Sequence, residues 1–430
     1  MPAAAAPSQS PQTQNANARA LVLQRGIDEW LNIYSNSQTP TTGQVYNIPI
    51  RNVGLIKRFV VQVAAKINNA TGGETQTLCP FGMSQFFSNF TLTDLSNQQR
   101  VNCPGWLLSM IASAKRRNAF GQVPVLVNGT PGAATTYPHA DATSPLAIAD
   151  GTITGPEVTV FGFGNAFNGT SQSTLTSNGQ LMYAASLAAA TGGYVFAHFE
   201  VPVAYTDHNL AGAIFAGVTS ATMNLQLTIN PNMFLPASAT DNTLGLFQSS
   251  ASPSTAALST TNITLYQNII DQVPIGQNGG PVLPLLDLST AYLINNTAIG
   301  SVIQSQDNPI PYANFRSFYS TTIVFDNAGT LNTGSDVNYF ALQSANYTNI
   351  WKLDPFTAAL KARLIIGSDP PKGTYYFDHR SKPINTIQYG NMELIVNPSS
   401  VGGNTAQFLV GWEQLALINQ VTQAGSLYGS

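Results

Sequence analysis

The runs QVPIGQNGGPVLPLLDLSTAY (residues 272–292) and IVFDNAGTLNTGSDVNYF (residues 323–340) decide how the rest of the chain is read. Each sets apolar and β-branched residues between Gly, Pro and Asn punctuation, the pattern of buried strands joined by ordered loops. Working outward, further strand signals follow at 59–63, 123–127, 158–161, 225–229, 263–266, 320–325, 374–377, 392–396 and 408–412. All are rich in β-branched or aromatic residues, which fit a pleated, half-buried surface. Helical signals are few. Asp354 can cap a helix that Pro355 opens, with Ala358, Ala359, Leu360 and Leu364 following. A second helix is predicted over 207–217, where an acidic start precedes small and apolar residues. A third runs from Ala18 to Tyr34, because Leu23, Ile27, Trp30, Leu31 and Tyr34 recur at three- and four-residue spacing, broken only at Gly26.

With 430 residues the chain exceeds one ordinary core, and ~100–200 residues per domain gives two to three. Only 9% of residues are charged, against roughly 25% in soluble domains. Asn, Gln, Ser and Thr stand in their place, and such a surface hydrogen-bonds across interfaces without the cost of burying ions. A net charge of −3 offers no general attraction for nucleic acid. The dense basic cluster Lys115, Arg116 and Arg117 reads as a solvated turn or an inter-subunit ion pair. Cys79 and Cys103 are too few for a disulfide framework. Residues 1–20 lack the charged start and apolar core of a secretory signal, no apolar run reaches transmembrane length, and synthesis in the cytoplasm is expected.

Chemistry is hard to find. His139, His198, His208 and His379 stand apart from one another, with no metal-ligand spacing. Asp378 beside His379 could orient an imidazole, but no Gly-X-Ser-X-Gly elbow accompanies it. The glycine-rich run at 161–169 lacks both the dinucleotide fingerprint and the phosphate-loop Lys-Ser/Thr. No catalytic residue, cofactor or metal is expected. Composition alone would also suit an outer-membrane porin or a secreted carbohydrate-binding β protein, which a missing signal argues against.

As whole strings, the two opening runs resemble the major capsid proteins of tectiviruses. Matching strings continue at KLDP (352–355), PKGTYYFDHRSKPINTIQYGN (371–391) and IVNP (395–398), with islands at 48–69 and 201–218. The family-like motif positions are Gly276, Gln277, Asn278, Gly279, Asp287, Asp326, Asn327, Asp354, Pro355, Tyr389, Gly390 and Asn391. The resemblance implies an all-β fold of two tandem eight-stranded jelly rolls with a few short helices and the N-terminal amphipathic helix. The expected division is an arm and helix at 1–43, a first roll at 44–240 with a surface projection at about 121–193, a linker at 241–262, a second roll at 263–415 and a tail at 416–430. It also implies trimers forming pseudo-hexagonal capsomers of an icosahedral shell, assembled in the bacterial cytoplasm around an internal membrane and double-stranded DNA. The expected partners are further copies of the chain, penton or glue proteins and the internal membrane, which separates the shell from the nucleic acid. Arg19, Arg25 and Trp30 are expected to face that membrane.

Overall fold

In the second half, eight strands form a nested antiparallel ladder: Thr290–Ile299, Asn308–Pro311, Arg316–Asp326, Val337–Ser344, Tyr347–Leu353, Thr374–Asp378, Met392–Pro398 and Gln407–Leu417. The first pairs with the eighth, the second with the seventh, the third with the sixth and the fourth with the fifth. Consecutive ladders fall in opposite sheets, so the folded ladder closes over one core as a jelly roll. The computed structural model describes residues 20, 22–69, 76–78, 81–116, 192–216, 222–234, 245–248, 256–271, 290–327, 336–345, 347–366, 373–403 and 405–417, with short strands at 125–128, 157–160, 174–175, 181–182 and 186–187.

The first half repeats the scheme. Ile27–Gln38 pairs with Ala256–Asp271, Val45–Pro49 with Asn224–Ile229 and Leu55–Asn69 with Gly192–Pro202. The ladder closes where Phe87–Thr93 pairs with its own neighbour Gln99–Cys103, as the fourth strand pairs with the fifth in the second half. That neighbour also lies parallel to Thr290–Ile299, with Val101 opposite Ile294. One nine-stranded sheet therefore runs through both halves.

Three expectations are corrected. Among the described residues, the predicted helix from Ala18 to Tyr34 is helical at residue 20 and residues 22–25, and Ile27–Gln38 is a strand. It pairs along its length with Ala256–Asp271, and a full ladder of backbone hydrogen bonds outweighs a helical spacing that two turns can mimic by chance. Ala256–Asp271 also pairs with Leu55–Asn69, so residues read as linker and second roll belong to the first-half sheet. Nor does the segment 207–217 form a helix. Leu210 and Gly212 take positive φ, and a Cβ on Gly212 would come within 2.5 Å of Tyr292 Cβ, so the chain turns tightly there. The first-half helix is instead α1 (Gly105–Arg116), whose last turn carries Lys115 of the basic cluster. The Asp354 helix is α2 (Pro355–Ile366). Most of the expected projection at 121–193 lies outside the described residues, but Val125–Asn128 and Glu157–Val160 extend the first-half sheet itself.

The two largest apolar clusters among the described residues form the cores. The first gathers Phe87, Phe90 and Phe199, with ring centroids 5.1–5.6 Å apart, and takes in Tyr292, Ile294 and Leu409 from the second half. The second is built on Phe318, Phe325, Phe340, Phe377 and Phe408. Among the described residues, no helix is long and apolar enough to cross a membrane.

Candidate functional site

Strand 407–417 forms the wall between the cores. Phe408 and Val410 face the second core, whereas Leu409 and Leu415 face the first. Gly411 lies on the first-core side, and a Cβ there would sit 2.5 Å from the Leu107 methyls of α1, so glycine lets helix and sheet close up. Two residues on comes Glu413, fully buried.

An isolated buried carboxylate is untenable, and Glu413 is surrounded by donors. Oε1 accepts from Tyr292 Oη at 2.7 Å and meets Lys115 Nζ at 3.0 Å. Oε2 accepts from Ser320 Oγ at 2.9 Å and from Arg380 Nη2 at 3.3 Å. Lys115, brought by the last turn of α1, also donates to Tyr292 Oη at 2.9 Å and to the Tyr205 carbonyl at 3.0 Å, and it packs against both rings. Burial alone would raise the Glu413 pKa, but Lys115, Arg380 and the Tyr292 hydrogen bond hold it down, at about 2. Burial lowers the Lys115 pKa, opposed by Glu413. Tyr292 is pushed well up by burial and by the neighbouring Glu413 charge. Glu413 is therefore ionised at neutral pH, and the cluster joins Lys115 and Tyr205 of the first half to residues of the second.

Beside it opens a cleft of about 340 Å³ lined by Lys57, Arg58, Glu200, Asp207 and Arg380. Arg58 bonds Glu200 at 2.9 Å and also Asp207, while Lys57 bonds Asp28 at 2.9 Å. The charges at this junction are thus matched in pairs, and among the described residues no nucleophile and base are poised together. His379 is buried, its Nε2 has no hydrogen-bond partner among the described residues, and burial lowers its pKa to about 4. Among the described residues, no group of three His, Cys, Asp or Glu is arranged to hold a metal.

The sequence-derived positions do not converge on one site. Arg19, Gly276, Gln277, Asn278, Gly279 and Asp287 lie outside the described residues. Arg25 is exposed at the end of the short helix. Trp30, half exposed, lies on the strand and lines a cleft with Asp28, Arg58, His198 and Tyr266. Asp326 is buried and accepts from Gln407 Nε2 at 3.1 Å, and Asn327 Oδ1 accepts from the Gly402 amide. Asp354 caps α2: its Oδ1 accepts from the Thr357 amide at 2.9 Å, Pro355 opens the helix, and bonds from the Thr357 hydroxyl and amide lower the Asp354 pKa. Tyr389 packs on the second core, Gly390 takes φ +70°, and the Asn391 carbonyl accepts from the Ala345 amide. These are structural positions.

Glu413 went unremarked in the sequence, though a lone carboxylate within FLVGWEQLAL was a signal that something opposes it. Lys115, read as a solvated turn or an inter-subunit pair, makes its ion pair within the chain.

Residues 2–152 and 158–273 match the family model described as P3 major capsid protein N-terminal, and residues 289–428 match P3 major capsid protein C-terminal. The major capsid protein P3 of Enterobacteria phage PRD1 is 31% identical over 426 residues, covering 99% of this chain and 96% of that protein. Among solved structures, the crystal structure of the STIV MCP superposes with a TM-score of 0.58 at 11% identity, covering 94% of this chain and 100% of that one. A quasi-atomic model of the PBCV-1 virus capsid gives 0.51 at 9% identity, covering 91% and 95%. At such identities these structures speak to the fold alone, a double jelly roll. The gap between the two family models, after residue 273, agrees with Ala256–Asp271 closing the first half.

Proposed function

This chain belongs to the P3 major capsid protein family, a virion protein that assembles with itself into a capsid and is not an enzyme, and from that premise we propose that three copies form each capsomer. The observation that carries this reading is the fusion of two like rolls into one body by the nine-stranded sheet and the Glu413 cluster. Each subunit then offers two similar lobes in a fixed relation, and three subunits offer six, which suits a hexagonal lattice position. Such trimers tile an icosahedral shell around an internal membrane and its double-stranded DNA, assembled in a bacterial cytoplasm with penton and glue proteins.

With 9% charged residues, the subunit seams are polar and apolar rather than ionic. Native mass spectrometry at micromolar concentration tests this, with trimers expected in both low and high salt. Mainly monomers would refute the reading. The segment before residue 27 is placed on the inner side of the shell, with Arg19 and Arg25 toward lipid. Deleting residues 1–26 should leave trimers intact and impair assembly around the vesicle, and cleavage of the arm by protease on intact particles would contradict its inner placement. The projection at 121–193 is tested by an epitope inserted near Asn168, which antibody should reach on whole particles.

A further inference from the structure

Helix α2 turns an apolar face to solvent. It buries Ala358, Ala362 and Ile366 and exposes Phe356 (76%), Leu360 (45%) and Leu364 (70%). Each set is spaced at i, i+4 and i+8, so the exposed set is a continuous stripe about 12 Å long. Lys361, also exposed, flanks it. Contiguous exposed apolar surface of this kind marks a contact.

The internal duplication says what the contact is. The helices hold equivalent places, since α1 follows the hairpin of strands 87–93 and 99–103 and α2 follows that of strands 337–344 and 347–353. Helix α1 covers the sheet of the other half. Leu107 and Lys115, eight residues apart, meet the outer face of strands 290–299, 407–417, 316–326 and 374–378 at Gly411 and Glu413. On that face Tyr292, Ile294, Val324 and Tyr376 are at most 1% exposed.

The nested ladder makes strands 27–38, 256–271, 55–69 and 192–202 the counterparts of those four, lying side by side in the same order. Phe59, Val61, Ile263 and Leu265 face the first core, so the alternate residues Val60, Gln62, Thr264 and Tyr266 turn to the outer face. Here, in place of a packed helix, a groove of about 620 Å³ stands open, walled by Trp30, Val60 and Tyr266, and Trp30 is 53% exposed. Its lining sets Asp28, Glu200 and Asp207 against Arg58. Asp28 and Asp207 keep 58% and 54% of their side-chain surface open even when paired with Lys57 and Arg58. The relation that joins Lys115 of α1 to Glu413 of the sheet, a helix lysine meeting a sheet carboxylate beside apolar contact, is thus matched in kind by Lys361 and this groove.

We propose that the Phe356, Leu360 and Leu364 stripe of one copy docks in the groove on the outer face of strands 27–38, 256–271 and 55–69 of the next, with Lys361 toward its carboxylates. The contact repeats between subunits the helix-on-sheet junction that α1 makes inside each one. It is head-to-tail, and a head-to-tail contact closes into a ring when its rotation divides the circle. This inference rests on the trimer reading and assigns its seam.

Two experiments on the full-length chain test it. In the first, Leu360→Asp with Leu364→Asp is compared with wild type by native mass spectrometry. Both side chains already meet solvent in the single chain, so circular dichroism should be unchanged while association weakens at least tenfold. In the second, Asn32→Cys, on the exposed face beside Trp30, is combined with Leu364→Cys and treated with a short bismaleimide, alongside each single variant and wild type. A cross-linked product of two or three chain masses, formed by isolated trimers of the double variant alone, is the expected result. A trimeric wild type with an equally trimeric aspartate variant, or without that cross-link, overturns the seam and leaves the trimer standing. A wild type that stays monomeric overturns the trimer and the seam together. An intact variant trimer that has lost flotation on phosphatidylglycerol vesicles would assign the stripe to lipid and refute the proposal.

Discussion

Replacing Glu413 by Gln keeps the shape of the side chain and an acceptor for Tyr292, and removes only the charge. Lys115 and Arg380, whose side chains are 21% and 18% exposed, are then left facing each other without their shared anion. Two routes give the cost. Breaking a buried ion pair by removing one partner costs about 3–5 kcal/mol, reduced here because water reaches both cations. Independently, depression of the Glu413 pKa from 4.5 to about 2 corresponds to about 3 kcal/mol of folding free energy at neutral pH. Because the folded value is the lower one, this stability is present above pH 4.5 and is lost as pH falls toward 2. Urea unfolding at matched protein concentration, followed by tryptophan fluorescence, should show E413Q less stable by about 2–4 kcal/mol at pH 7. The difference from wild type should shrink by about 1 kcal/mol at pH 3.5, where the wild-type carboxylate has lost part of its advantage. Adding Lys115→Met to E413Q should recover part of the loss, giving a coupling of about 1–3 kcal/mol. A loss under about 0.5 kcal/mol, or a difference that does not change with pH, would refute the view that this cluster locks the halves together.

Three further outcomes follow from the packing. Gly411→Ala should destabilise by about 1–3 kcal/mol by pushing Leu107 off the sheet, and Leu107→Ala in the same chain should relieve the strain, as measured by urea midpoints of the single and double variants. His379, with a folded pKa of about 4 against an ordinary 6.5, makes stability present above pH 6.5 that is lost as pH falls through 4. Wild type should therefore lose about 2–3 kcal/mol relative to His379→Phe between pH 7 and 4.5, and parallel pH curves would contradict this. Phe87→Ala, at the centre of the first aromatic cluster, should cost about 3–5 kcal/mol in the same unfolding assay.

Most strands were legible in the sequence, because alternation and β-branched content are local properties: 225–229, 320–325, 392–396 and 408–412 all fall inside observed strands. The capping of α2 by Asp354 was equally local. Local pattern misled where partners from afar decide the outcome. Residues 27–34 carry both a helical and an alternating reading, and only the presence of Ala256–Asp271 alongside selects the strand. Residues 207–217 turn where a helix was predicted because Gly212 must pass within contact of Tyr292, some 80 residues away in sequence. Helix α1 was missed although Trp106, Met110 and Ala114 recur at helical spacing.

What the chain by itself determined was therefore its class, its duplicated order of strands and, through long family-like strings, its membership among capsid proteins. Those are matters of residue type along the backbone. What only the tertiary structure decided was where the halves divide, which charges meet and which apolar surface is left over. Glu413 is one carboxylate among several in the sequence, and it becomes the bolt of the molecule only because Lys115, Tyr292, Ser320 and Arg380 arrive around it from four separate elements. Likewise Leu360 and Leu364 are apolar positions of a helix in the sequence, and it is Ala358, Ala362 and Ile366 taking the inner face of α2 that turns them outward. The free energy of a buried charge or an exposed leucine depends on its neighbours in space, and sequence spacing carries no record of them.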